Sequence, residues 1–313
     1  MSTPFSNQTK AFETARLLVA VFYLSHLAPL IKLFVEPRDY SLVSGGSLLW
    51  PVRWITRFDI ATSTNVVETV FVLSVLLAAI FPASRAARAL AFVGSFFHVA
   101  LANSFDKINH GTHTMLYISF VLIFLPRIPK ASVSRVARAK YLVVFSAAQA
   151  SLLLTYTLAG WWKLGVTLYH FAQGQLSAFS LQGFSYLIAR KLLEKREHPA
   201  AGLFLIDHPQ LGRALLVSVM FLQFFSIFVV FRPKLHRFWG FSLILFHMGT
   251  ALILTIPFAN NVFLLALFLC LSPFSRYGLA LRSTEAVRRL YRSRKKHLAR
   301  LSPPSGILVG ENA

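Results

Sequence analysis

Acidic residues are scarce in this sequence: 11 Asp and Glu stand against 32 Lys and Arg, and charges of both signs make up only 14% of its 313 residues. An average soluble domain carries roughly 25% charged residues, so a soluble globular chain is a poor fit. Cysteine is scarcer still. The single Cys270 has no partner, which excludes an intrachain disulfide and a cysteine zinc cluster. No repeat of fixed period appears, and low complexity is confined to the tail "VRRLYRSRKKHLARLSPPSG". Paired carboxylates within apolar runs and an inverted repeat are both lacking, which leaves a transporter with little support. A cleavable signal of the usual form is also missing, because the first apolar run begins near Ala15 and continues to about Val35, longer than a signal h-region. A retained first helix is expected.

What the sequence has in quantity is hydrocarbon. Hydrophobic residues make up 56% and aromatics 14%, with 30 phenylalanines and a mean hydropathy of +0.60. Apolar runs of about 17 to 25 residues recur, each long enough to cross a hydrocarbon core of roughly 30 Å as a helix. Cutting them at charge, proline and glycine signals predicts an all-α polytopic transmembrane bundle of about eight helices. They fall near 13–35, 65–81, 87–105, 113–126, 139–160, 212–231, 238–256 and 259–273.

The formal net charge of +21 raises a nucleic-acid partner, but the basic residues lie between apolar runs and in the tail rather than in one patch, so no nucleic acid is expected. Membrane topology explains them better. Alternate gaps hold the N-terminus, Arg85 and Arg88, the 127–140 cluster, Arg232 to Arg237, and the tail from Arg276, which together carry 21 of the 32 basic residues. That side is predicted cytoplasmic, with both termini on it. The basic stretch "ARKLLEKREH" (189–198) falls on the opposite side, where it could instead form an amphipathic helix on a membrane surface. The tail is expected to be a disordered topogenic anchor that also attracts anionic lipid, at about 1 kcal/mol per basic residue.

Polar islands interrupt the apolar runs. In "INHGTHTMLY" (108–117), His110 and His113 share a helix face if helical. They fit an interfacial cap, with Asn109 or Thr112 holding the helix start, or a functional pair. A metal is not expected, since two histidines without a carboxylate or a suitable third histidine rarely make a site. In "LAGWWKLG" (158–165), Lys163 follows Trp161 and Trp162 at the end of the fifth run. A snorkelling interface lysine beside a tryptophan belt accounts for it. So does a lysine turned into the bundle, stripped of water by the indoles and serving as a general base. His247 in "LFHMGTA" lies deep in the seventh run, where an ionisable residue is a functional-site candidate by default. His98 in "FFHVALANS" is expected to be structural.

These islands fall in the same half of the expected membrane. In order, "KINHGTHTMLYISFVLIFLP", "YTLAGWWKL" and "LFHMGTALILTIPFANNVFLLALFLCLSPF" resemble the HTTM family, the transmembrane domain shared by vitamin K-dependent gamma-carboxylases and many bacterial membrane proteins. The resemblance covers most of residues 11–275 and leaves 276–313 as the basic cytoplasmic tail. Asn109, His110, Tyr117, Leu125 and Pro126 match the family's Asn-His element and the aromatic-rich helix after it; Ala159, Gly160, Lys163 and Leu164 match the Ala-Gly-x-x-Lys-Leu element; Phe246 and His247 match the aromatic-His element. In the carboxylases that lysine is regarded as the base that deprotonates vitamin K hydroquinone, assisted by the Asn-His histidine. The resemblance therefore implies Lys163 as base and His110 as its assistant, with His113 an equal claimant to the histidine's place.

The expected site is a polar pocket of His110, Lys163 and His247 near the non-cytoplasmic side, with His113, Asn109, Tyr117 and Trp162 around it. Its implied cofactor is a quinol such as reduced vitamin K, its partner the lipid bilayer, and its location, in a bacterium, the plasma or inner membrane. Carboxylation of a protein glutamate is the less expected, lyase-like version: the carboxylases continue past their last helix into a large lumenal domain that recognises the protein substrate, and residues 274–313 are not expected to replace it. The competing class is a non-catalytic membrane component of peptide export, toxin maturation or a membrane complex.

Overall fold

Backbone amides in hydrocarbon must pair within their own segment, so long apolar runs close into helices. The computed structural model describes residues 4–27, 48–104, 111–127, 134–177 and 179–279, and every regular element among them is helical. In chain order these are α1 (Pro4–Ser25), a 3₁₀ helix (Trp50–Arg57), α2 (Ile60–Ile80), α3 (Arg85–Ser104), α4 (His113–Leu122), α5 (Arg135–Ala172), α6 (Gly183–Lys195), α7 (Ala200–Asp207), α8 (Pro209–Val229), a 3₁₀ turn (Pro233–Leu235), α9 (His236–Leu254), α10 (Ala259–Leu265), a π turn (Ala266–Cys270) and α11 (Pro273–Tyr277).

Among the described residues, six segments are long and apolar enough to cross a membrane: Ile60–Ile80, Arg85–Ser104, Arg135–Ala172, Pro209–Val229, Pro233–Leu254 and Ala259–Tyr277. Their outer faces stay greasy. Leu73, Leu158, Phe221, Phe228, Phe241 and Leu252 are all more than half exposed, and so broad an apolar surface is foreign to a soluble monomer. It suits contact with a lipid bilayer.

Local chemistry sets the ends. The Asp59 carboxylate accepts from the Thr62 amide at 2.7 Å and so caps α2, and bonding to Thr62 holds it below the usual carboxylate range. Ser134 Oγ caps α5 by accepting from the Ala137 amide at 3.1 Å.

The core joins α1, α5 and the π turn. Phe12 meets Tyr141 edge-on at 5.2 Å, and Phe145 stacks on Phe268 at 5.3 Å. Inside this apolar packing the buried Gln149 amide donates to the Phe268 carbonyl at 2.5 Å and to Ser272 Oγ at 3.0 Å. Ser272 Oγ in turn lies 2.8 Å from Nδ1 of His236, whose Nε2 lies 3.1 Å from the Val229 carbonyl. A ring with Nε2–H donating to Val229 and Nδ1 accepting from Ser272 satisfies both nitrogens without charge.

The structure departs from the sequence expectation in several element bounds: α1 begins at Pro4 rather than near residue 13, and α4 ends at Leu122 rather than near 126. The fifth helix, expected over 139–160, runs for 38 residues from Arg135 to Ala172, about 57 Å. Lys163 did not end it, because an acceptor from another helix meets its amine. The long gap at 162–211 is not a loop: α5 occupies its start, and α6 and α7 fill most of what remains, with "ARKLLEK" helical. Arg88, read from sequence only as a charge in the gap before α3, is 1% exposed and donates to the Pro82 carbonyl at 2.7 Å and the Leu125 carbonyl at 2.6 Å. It therefore ties the start of α3 to the chain beyond α4. Asn109, His110 and the tail from residue 280 lie outside the described residues.

Candidate functional site

Thr157, Gly160, Lys163 and Thr167 recur every three or four residues along α5 and so share one face. That face meets α8. At Gly160 an added Cβ would stand 2.7 Å from the Phe224 nitrogen and 3.1 Å from the Gln223 carbonyl carbon, so only glycine admits α8 this closely. The close approach sets the reach of the neighbouring side chains. Thr157 Oγ1 accepts from the Ile227 amide at 2.9 Å, and one turn past Gly160 the Lys163 amine donates to Gln223 Oε1 at 2.8 Å.

Helix α9 completes the arrangement. Phe246 presents its ring 5.5 Å from the Lys163 Nζ, within cation–π range. The next residue, His247, is buried, with Nε2 2.7 Å from the Tyr156 hydroxyl and its ring 5.1 Å from that of Phe258. Its Nδ1 has no hydrogen-bond partner among the described residues.

A cavity of about 1160 Å³ opens between α5, α6, α8 and α9, with Lys163 in its wall. Trp162, Phe184, Leu187, Leu215, Leu245 and Phe246 supply much of its apolar lining. Of the two indoles only Trp162 lines it, since Trp161 packs against Phe224 at 4.5 Å. Thr250 and Phe258, which flank His247, line it as well.

His113 and Tyr117 lie elsewhere. They line a second cavity of about 660 Å³ with Asn103, Trp50, Phe96 and Phe120, and α5 contributes Leu154 and Leu158 from another of its faces. Asn103 Nδ2 lies 3.4 Å from His113 Nε2 at this site. The structure thus brings Lys163 and Trp162 to the wall of one cavity, with His247 buried behind Phe246, Thr250 and Phe258, and places His113 and Tyr117 at another.

No family model, curated protein or solved structure matches the chain.

Sequence reasoning passed over two residues that prove central here. Gln223, the lone amide of the run 214–231, is the acceptor for Lys163, and Tyr156 is the partner of His247. An amide amid hydrocarbon was the available signal for the first. A tyrosine in an aromatic-rich helix gives no comparable signal. Glu68, the only acid of α2, was passed over too: its carboxylate lies 2.6 Å from Nδ1 of His98, whose ring stacks on Phe71 at 4.1 Å. The expected structural role of His98 fits this pairing between α2 and α3.

Proposed function

We propose that this chain is a polytopic membrane protein of HTTM type that binds a lipophilic, quinol-like molecule in the larger cavity, with Lys163 as the base that takes its proton. In this reading α1 and α4 join the six long segments to give eight crossings, with both termini cytoplasmic. The observation that carries the reading is the pairing of Lys163 with a neutral amide, Gln223, on the wall of a large apolar cavity. A carboxylate partner would lock the ammonium in place electrostatically, whereas an amide orients the amine and leaves it able to exchange a proton.

The residues present suit a planar, greasy ring. Trp162, Phe184 and Phe246 offer aromatic walls, and Lys163 is the polar group beside them. A bound quinol would supply an acidic hydroxyl and a two-electron reductant. The protein's own part is to exclude water, hold the ring and accept the proton at Nζ. His247, fixed by Tyr156, supports Phe246 from the next position on α9.

The test is binding. Benzoquinols and naphthoquinols titrated into the protein in nanodiscs should raise the unfolding temperature, and the oxidised forms should quench tryptophan emission less in Trp162→Phe than in wild type. If no member of a broad panel protects or quenches, the quinol reading fails and a non-catalytic membrane component becomes the better description.

A further inference from the structure

The larger cavity carries an unbalanced charge. Lys163 and Arg190 both line it, and no Asp or Glu is among its described lining residues. Arg190 is compensated mainly by water, because its side chain is exposed on α6 and its Nε donates at 3.1 Å to Glu194, a carboxylate that Lys191 also holds at 2.6 Å. Lys163 is not. Its acceptor is the Gln223 amide and the ring of Phe246 lies 5.5 Å away, and no carboxylate pairs with it among the described residues. A half-buried ammonium without a counter-ion is costly, and an anion brought to it recovers that cost.

The size of the space says what accompanies the anion. Pockets for drug-sized ligands run to roughly 300–1,000 Å³, and this one, at about 1160 Å³, is walled mainly by apolar side chains, leucines foremost, with room for a chain. One uncompensated cation matches one negative charge. We infer that the cavity takes a single-chain amphiphile with one acidic oxygen head, the ionised head seated at Lys163 beside Gln223 and the alkyl chain laid against Phe184, Leu187, Leu215 and Leu245.

This rests on the reading that a lipophile enters the cavity, and deepens it by naming the head group. An acid arriving protonated gives its proton to the Lys163 amine: the O–H bond breaks, its electron pair stays on oxygen, an N–H bond forms, and the ammonium remains beside the anion it holds. An acid arriving ionised meets Lys163 already charged.

The experiment uses the full chain in phosphatidylcholine nanodiscs, with hexadecanoate and its neutral analogue hexadecanol titrated against thermal unfolding. The acid should bind about tenfold more tightly than the alcohol or better, as a charge-assisted hydrogen bond provides. Lys163→Met should bring the ratio close to one. Lys163→Arg should keep it, because arginine retains the cation although it cannot take up a proton. Equal binding of acid and alcohol by wild type, or a ratio unchanged in Lys163→Met, overturns the head-group assignment while leaving a lipophile-binding cavity. Binding of neither ligand overturns the single-chain assignment, whereas the lipophile reading falls only if the quinol panel fails as well. If phosphatidylglycerol added to the bilayer abolishes the preference, a bilayer headgroup is the occupant and the single-chain assignment fails.

Discussion

Two glycines five residues apart in α5 should respond to alanine with opposite signs. At Gly160 the new Cβ would stand 2.7 Å from the Phe224 nitrogen and 3.1 Å from the Gln223 carbonyl carbon, both backbone atoms of α8 that cannot rotate away. Ordinary contact requires about 3.4 Å or more, so α8 must retreat. Overpacking of this kind costs about 1–3 kcal/mol, and alanine's better helix propensity returns up to about 1 kcal/mol. With backbone as the obstacle, the net loss should be about 1–2 kcal/mol. At Gly165 an added Cβ meets nothing within 4 Å. Only the propensity gain remains there, about 0.5–1 kcal/mol of stabilisation. Thermal unfolding in nanodiscs should show Gly160→Ala lowered and Gly165→Ala raised, by roughly 2 °C per kcal/mol for a chain of this size. Gly160→Ala should also weaken protection by hexadecanoate, because a displaced α8 carries Gln223 away from Lys163. Shifts of the same sign at both positions would refute the close-approach argument.

Tyr156→Phe removes the hydroxyl beside His247 Nε2 and leaves a buried imidazole short of a partner, so stability should drop by about 1–3 kcal/mol; an unchanged unfolding temperature would show that the contact contributes nothing. Arg88→Met leaves the Pro82 and Leu125 carbonyls unmatched and should destabilise more than Arg88→Lys, which can still reach one of them. Equal losses in the two variants would mean that packing, not hydrogen bonding, is what Arg88 contributes. Reporter fusions at Ala83, Lys130 and Lys234 should report cytoplasm, and fusions at Gly45 and Gln175 should not, following the alternation of Lys and Arg. A reversed pattern at any two of these sites would end the eight-crossing topology.

How much was legible in the sequence depended on the range of the interaction involved. Hydropathy is a sum over neighbouring residues, and a backbone in lipid can close its hydrogen bonds only locally, so the sequence by itself determined an all-helical membrane chain and roughly where its long segments lie. It also marked Lys163 and His247 as worth attention, because charge in hydrocarbon is conspicuous in one dimension. Whether Lys163 ends α5 or sits within it was beyond local reach. That was decided by Gln223, 60 positions away, which meets the amine and lets the helix continue to Ala172. Arg88 shows the same limit: its charge marks the gap between two apolar runs, but its burial against the Leu125 carbonyl, 37 positions on, is visible only in the fold. The sequence placed His113, Lys163 and His247 in one half of the membrane, but residues at one depth can face different ways around a helix. The rotation of α5 against α4 and α8 sends Lys163 to one cavity and leaves His113 at the other, and that rotation is set by where small residues such as Gly160 let backbones meet.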